Sequence, residues 1–457
     1  MSAFGQSVGP TTGRKSDKIL QMSLVDTLRL AWADPELRQR IIFVLQMFAV
    51  FVLGSHISVP IPGVSPAELV EKLKGLPFFQ LLDTFGGGSI RRVSIFALGL
   101  NPYITASIIM QIVTTSIPAW KKELQEGGEY GRNKQNKRTK ILMVILCVAQ
   151  GWGLLQMMGQ GLGPGILTPM TIATTVLFWT AGSFFVLWLG EQISAKGIGN
   201  GVSLMIFAGI IASLPALFGQ LFQSVFDRIV QWWQVAALLI IFLATTYFIV
   251  FFTTAQRRIP IQHMRRMVGT RMMSGGGTNY LPLSVNMAGV IPIIFAVSLV
   301  YMPLQFSMMF PPESWMHRTL ATIGEIMNPG APFPKGLIGC ALYALLIGFF
   351  TYFYTAIQYN VEDISNNLKR GGSFIPGVRP GKQTMDFLNQ VISRITIVGA
   401  VFLAIVALTQ YLAPALTGIQ GNVFSIIGGT SLLIMVSVAL ETMRQIEANL
   451  MMKQYGG

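Results

Sequence analysis

Charged side chains are scarce in this chain. Only 11% of its 457 residues are Asp, Glu, Lys or Arg, against 52% hydrophobic residues and a mean hydropathy of +0.56. A soluble domain needs a wet face on its surface helices, so this balance excludes an ordinary globular protein. The three histidines, His56, His263 and His317, are far apart, and no HExxH or CxxC pattern accompanies them. A metal site therefore has little support. Two cysteines, Cys147 and Cys340, lie in or beside apolar runs and are expected to be free thiols rather than a disulfide framework. No G-x-x-x-x-G-K-[ST] loop is present, so the chain does not bind ATP by that route. Gly197-Ile198-Gly199-Asn200-Gly201 resembles a phosphate loop superficially and reads better as a turn between adjacent helices. No Ser, His and Asp arrangement suggests a hydrolase. Neither an enzyme nor a cofactor is expected.

What the chain does have is long apolar runs. A hydrocarbon core of about 30 Å needs roughly 20 apolar residues per helix. Ten segments meet that need: 40–59, 94–117, 140–158, 171–190, 201–218, 235–254, 286–310, 336–358, 395–415 and 423–441. The expected fold is an all-α polytopic membrane protein with ten transmembrane helices. Residues 1–38 are polar and carry no cleavable signal pattern. Within them Ile19, Leu20, Leu24, Leu28 and Trp32 suit a short amphipathic helix, lying either on the membrane surface or against neighbouring loops. With the N-terminus inside, 26 of the 33 Lys and Arg fall on the inner side, counting Arg40 and Lys140 at the inner ends of their spans, and 7 on the outer. This bias puts both termini in the cytoplasm. It also explains the net charge of +14 by topology, and no direct DNA binding is expected.

Spans one to five and six to ten make two halves, 40–218 and 235–441, joined by an outer hinge loop at 219–234. A cytoplasmic segment at 1–39 precedes them and a tail at 442–457 follows. Five spans is an odd number, so the halves run in opposite senses. The second span of each half is interrupted alike, by Gly99-Leu100-Asn101-Pro102 and Gly289-Val290-Ile291-Pro292. Such pairs predict kinks, and paired interruptions in inverted halves point to a central pathway. Outer loop 60–93 holds a short apolar stretch, Phe78-Phe79-Gln80-Leu81-Leu82, then Asp83, Phe85 and Gly86-Gly87-Gly88. It either re-enters the membrane or rests at its surface. No charge lies deep in a span, which weighs against an ion-coupled transporter. The polar groups Asn101, Thr105, Gln111 and Asn286 serve as packing contacts or as bonds weak enough to break repeatedly. Two inner loops, 255–285 and 359–394, are longer than topology needs. The first carries Arg257, Arg258, Arg265, Arg266 and Arg271 without an acidic residue. The second carries Arg370 and Arg379 around the turn Ile375-Pro376-Gly377. Arginine suits bidentate binding of phosphate or carboxylate, so these loops are candidates for docking a cytosolic partner.

Six motifs then stand out in order: PIPG at 60–63, SIFALGLNPYITASIIMQ at 94–111, WLGEQISAKGIGNGVSLMIFAGI at 188–210, LPLSVNMAGVIP at 281–292, FIPGVRPG at 374–381 and GGTSLLI at 428–434. With these the chain resembles the SecY family of protein-conducting channels over residues 20 to 450. The resemblance implies an hourglass pore with an aliphatic ring at its waist. The matching positions are Leu100, Ile104, Ile206, Ile210, Ile294 and Ile434, with Leu100 standing where isoleucine is common. It implies a plug over residues 78–92, with Phe78, Phe79, Leu82, Phe85, Gly86, Gly87, Gly88, Arg91 and Arg92, swinging on the triple glycine. It implies a lateral gate between spans two and seven, with Thr105, Ile108, Gln111, Asn286 and Ser298 at the seam. Docking of a SecA motor or a ribosome falls to Arg257, Arg258 and Arg379. Subunits SecE and SecG, a translocating polypeptide and membrane lipid are the implied partners, in a bacterial cytoplasmic membrane. The alternative is an inverted-repeat transporter for a small solute, which needs a polar site at midplane.

Overall fold

The computed structural model describes residues 24–60, 83–159, 168–228, 230–263, 267–268, 271–272, 279–307, 310–311, 313–331, 335–417 and 428–455. Helix α1 (Leu24–Ala33) leads into α2 (Pro35–Ser55), then come α3 (Asn101–Ser116), α4 (Pro118–Glu126), α5 (Gly128–Gly159), α6 (Pro169–Lys196) and α7 (Gly201–Phe226). The second half holds α8 (Trp232–Thr254), strands β1 (Gln256–His263), β2 (Met267–Val268), β3 (Arg271–Met272) and β4 (Asn279–Ser284), then α9 (Ile291–Ser307), α10 (Trp315–Met327) and α11 (Lys335–Gln358). It ends with α12 (Val361–Arg370), β5 (Ser373–Phe374), α13 (Lys382–Thr417) and α14 (Gly429–Tyr455).

Each of the ten apolar segments overlaps one of these helices. Seven (α2, α5, α6, α7, α8, α11 and α13) are long and apolar enough to cross a membrane. Helices α3 and α9 have 16 and 17 residues, about 25 Å of rise each, short of a full hydrocarbon core. Their shortness has one cause in both halves. Gly99 and Gly289 adopt φ of 53° and 65°, a left-handed turn that glycine makes at little steric cost. Pro102 and Pro292 follow as the second residues of the new helices, where proline removes no helical hydrogen bond. The Gly/Pro pairs are therefore helix starts, not the mid-span kinks expected from sequence.

The hinge loop is also shorter than expected. Helix α7 continues to Phe226 and α8 begins at Trp232, so the connection is 227–231. Trp232 and Trp233 are exposed at its edge, as interfacial aromatics are. One apolar core runs through both halves and includes Phe51, Trp179, Ile206, Ile293, Phe402 and Leu433.

The two long basic loops are not irregular. Strand β1 pairs antiparallel with β4, from Gln256 opposite Ser284 to Ile261 opposite Asn279, and with β5 through Gln262 and Phe374. The resulting sheet, in the order β4-β1-β5, buries Ile259, Leu283 and Ile375 against Leu388, Val391 and Ile392 of α13. The alternation at Ile259 and Ile261 is the period-two signal of a half-buried strand.

Candidate pore, plug and lateral gate

The expected ring residues lie on four helices, with Leu100 just before the first of them, and meet in part. Leu100, Ile104, Ile206 and Ile294 line a single cavity of ≈ 30 Å³ together with Phe85, Gly86, Leu98, Gly99, Val297, Asn101 and Ser298. That is room for about two water molecules and for no polypeptide. Nine of its eleven lining residues are apolar, and none is charged. Ile104 and Ile294 are half-buried, while Leu100 and Ile206 are buried. Ile210 and Ile434 do not line it; both are fully packed in the surrounding core.

The wall on one side is residues 83–92. Asp83 organises them: its Oδ1 accepts from the N–H groups of Ile90 (3.0 Å) and Arg91 (3.1 Å), and its Oδ2 pairs with the Arg91 guanidinium. The Asp83 carbonyl accepts from Gly88 N–H at 2.8 Å, Ser89 Oγ donates to the Gly86 carbonyl, and Arg92 Nη1 reaches the Gly87 carbonyl at 3.5 Å. Downstream, Val59 N–H donates to Val93 at 2.8 Å and Ile95 N–H to Ile57 at 3.0 Å, fixing the end of the turn to the chain leaving α2. The three glycines are buried within this turn. Phe78, Phe79 and Leu82 lie outside the described residues.

At the seam, α9 touches α3 only sparsely, whereas α11 and α13 pack along their lengths. Thr105 is buried but donates to its own helix, to the Asn101 carbonyl at 3.0 Å. Asn101 Nδ2 bonds Gln150 of α5 at 3.2 Å, within the same half. Ile108 is buried, Gln111 half-buried, and Ser298 faces the cavity. Asn286, in the bend between β4 and α9, has both amide atoms buried with no hydrogen-bond partner among the described residues. An unsatisfied buried amide costs about 1–3 kcal/mol.

On the basic face, Arg257 and Arg258 on β1 and Arg379 beyond β5 are all exposed. The sheet thus brings two loops more than 100 residues apart in sequence into one unit. The turn carrying Arg379 is held by Val378 N–H to the Ile375 carbonyl (3.1 Å) and Thr384 Oγ1 to the Arg379 carbonyl (2.9 Å). In the first half, α5 folds back on α4 through Glu123, which pairs with Lys134 and Arg138, while the Arg138 guanidinium sits 4.1 Å over the Trp120 ring. Those two cations hold the Glu123 carboxyl below its ordinary range. The start of α2 and the end of α14 meet on the same terms. Lys453 of α14 contacts Asp34 Oδ2 at 3.0 Å and Glu36 Oε2 at 2.7 Å, lowering both carboxyls and being raised itself. Helix α1 packs Ala31 against Ile198 and Ile446 and leaves Leu28 and Trp32 exposed.

The family model of SecY matches residues 94–443. The protein translocase subunit SecY of Staphylococcus carnosus is 39% identical over 429 residues, covering 92% of this chain and 96% of that one. Its counterpart in Staphylococcus aureus is 38% identical over 441 residues, covering 95% and 99%. The chain belongs to the SecY family. The SecY fold is equally plain in solved structures. A protein-conducting channel aligns at a TM-score of 0.66 with 17% identity, covering 90% of this chain and 92% of the other. Sec61 from the canine ribosome-channel complex of the endoplasmic reticulum aligns at 0.63 with 16% identity and the same coverage. This chain is therefore a multi-pass membrane protein of the bacterial SecY type. Two features of this SecY-family chain escaped sequence reasoning. Asp83 and Arg91 are eight residues apart in a glycine-rich turn, a spacing that only the turn itself makes a pair. The basic loops showed their strand only in the alternation of Ile259 and Ile261.

Proposed function

We propose that this chain is the protein-conducting channel of a bacterial cytoplasmic membrane. It passes unfolded secretory polypeptides through the waist and releases hydrophobic segments sideways between α3 and α9. The observation that carries this reading is the waist itself, an aliphatic cavity closed on one side by residues 83–92. An apolar constriction dewets and blocks ions, while aliphatic side chains give way to a polypeptide of any sequence. Leu100, Ile104, Ile206 and Ile294 form the seal, and Ile210 and Ile434 back it. Residues 78–92 form the plug, held shut through Asp83. Thr105, Ile108, Gln111, Asn286 and Ser298 belong to the lateral gate. The two halves, 40–218 and 235–441, move against each other about the connection near 219–234.

Both termini face the cytoplasm, as the distribution of basic residues requires. The sheet with Arg257, Arg258 and Arg379 docks a SecA motor or a ribosome, which supplies the energy; SecE and SecG complete the complex. The test is reconstitution of the chain with SecE and SecG in proteoliposomes, adding SecA, ATP and a preprotein. Signal-sequence-dependent protection of the preprotein from external protease is expected, and an absence of protection with all partners present would overturn the reading. In the same assay Arg379→Glu is expected to impair transport while membrane insertion and thermal stability stay unchanged. Full transport by that variant would reduce the loop to a topology signal.

A further inference from the structure

Residues 85–87 do not touch α7 through side chains alone; they touch its backbone. Gly209, buried on α7 between Ile206 and Ile210, has no room for a side chain. A Cβ there would fall well inside van der Waals contact of the Phe85 carbonyl oxygen, 2.8 Å from its carbon and 3.3 Å from the Gly87 nitrogen. From the other side, a Cβ on Gly87, whose φ is +69°, would lie 3.6 Å from the Gly209 Cα, 3.5 Å from the Phe51 ring and 3.4 Å from the Ala212 methyl. Phe51 is itself fixed by stacking on Phe96 at 5.9 Å between centroids. Two backbones therefore meet at paired glycines, one turn of helix from a residue lining the waist cavity.

We infer that Gly209 is a positioning residue for closure: it is the seat on which the plug turn rests, and its missing side chain sets how deeply residues 85–87 enter the waist. The inference rests on the reading of this chain as a channel closed by residues 83–92. Close packing admits few alternatives here, since a methyl group placed between two backbones forces one of them away. Helix α7 packs on α2, α6 and α14, so the turn is the part that lifts. A lifted turn uncovers Ile104, Ile206 and Ile294 without altering them. A purely structural role for Gly209 makes the opposite forecast, because alanine is a better helix former than glycine.

The experiment compares Gly209→Ala with Gly219→Ala in the full complex. Gly219 lies on the same helix with nothing among the described residues within 4 Å of an added Cβ, so it controls for the helix effect. Resting ion conductance is measured in proteoliposomes without motor, alongside export in cells of a preprotein with a defective signal sequence. Gly209→Ala is expected to raise resting conductance severalfold and to export the defective preprotein, while Gly219→Ala behaves as wild type. In a channel lacking residues 83–92, Gly209→Ala is expected to add no further leak. A Gly209→Ala channel that seals as tightly as Gly219→Ala, or that leaks further without the plug segment, would overturn the seat. If Gly209→Ala accumulates only once residues 83–92 are removed, the clash is with the plug and the seat stands. If it fails to accumulate in both backgrounds, the glycine serves packing of α7 alone. Ile206→Asn separates the two levels of the argument. A leak there with a tight Gly209→Ala rejects only the seat, whereas no leak from Ile206→Asn or from the plug deletion rejects the channel reading itself.

Discussion

Where residues 83–92 rest on α7, the polar groups of the turn are satisfied and the packing is backbone against backbone. Asp83 alone engages two N–H groups and a guanidinium, and Gly209 leaves no space between the partners. Where α3 faces α9 the contact is sparse, Thr105 bonds its own helix, and the Asn286 amide has no partner among the described residues. One surface is tied together as a single unit. The other holds little that has to be broken. A channel that must seal against ions yet open to lipid needs both kinds of closure, and on the proposed reading the ion seal resides in the waist and turn rather than in the seam.

The largest effect that could break this comparison lies in the ring. Replacing Ile104, Ile206 and Ile294 together with Asn or Ser should wet the waist. Resting conductance should then rise at least about tenfold, the factor that 1.4 kcal/mol removed from a barrier gives. Unchanged conductance in planar bilayers would remove the ring from the seal. Next comes Asp83→Ala, which leaves two N–H groups and a partly buried arginine without their acceptor. A loss of about 2–3 kcal/mol confined to the turn is expected, seen as a resting leak and faster protease cleavage near Arg91 with the helices intact. A smaller effect of opposite sign is expected at the seam. Asn286→Leu replaces an unsatisfied amide with a side chain of similar size, so the closed form should gain thermal stability while export slows. Destabilisation by that variant would mean that the amide has a partner in the closed seam.

The smallest effect belongs to the tie between the start of α2 and the end of α14. Lys453→Ala should free the end of α14 to protease and leave seal and export unchanged. The sign of its pH dependence follows from the shifts. The Asp34 and Glu36 carboxyls are held low by Lys453, so the tie persists at neutral pH and is lost as pH falls through those lowered values. Lys453 is raised, so on the alkaline side it is lost only above the ordinary lysine range. High salt should weaken it too, because the groups are exposed.

The ten apolar segments were legible because hydrocarbon tolerates few other patterns, and the structure lays a helix on each. Their starts were less so. Gly99 with Pro102 and Gly289 with Pro292 were visible as interruptions, yet sequence alone does not distinguish a kink from a new N-terminus; the positive φ of each glycine decides it. The waist was not legible from composition, since isoleucine fills these spans throughout. It came from resemblance, which named six positions; the structure gathers Leu100, Ile104, Ile206 and Ile294 at one cavity and leaves Ile210 and Ile434 packed in the core around it. Gly209 carried no signal, because its meaning lies in a carbonyl more than 120 residues away.

The central claim is that polypeptide passes through the waist, and a single cysteine at Ile206 tests it most directly. A secretory protein stalled in mid-transit, in membrane vesicles containing the full complex, should crosslink to that cysteine only when its signal sequence is intact. A cysteine at the exposed Leu243 of α8 should not crosslink. No crosslink at position 206, with the chain inserted and transport demonstrably engaged, would contradict the account.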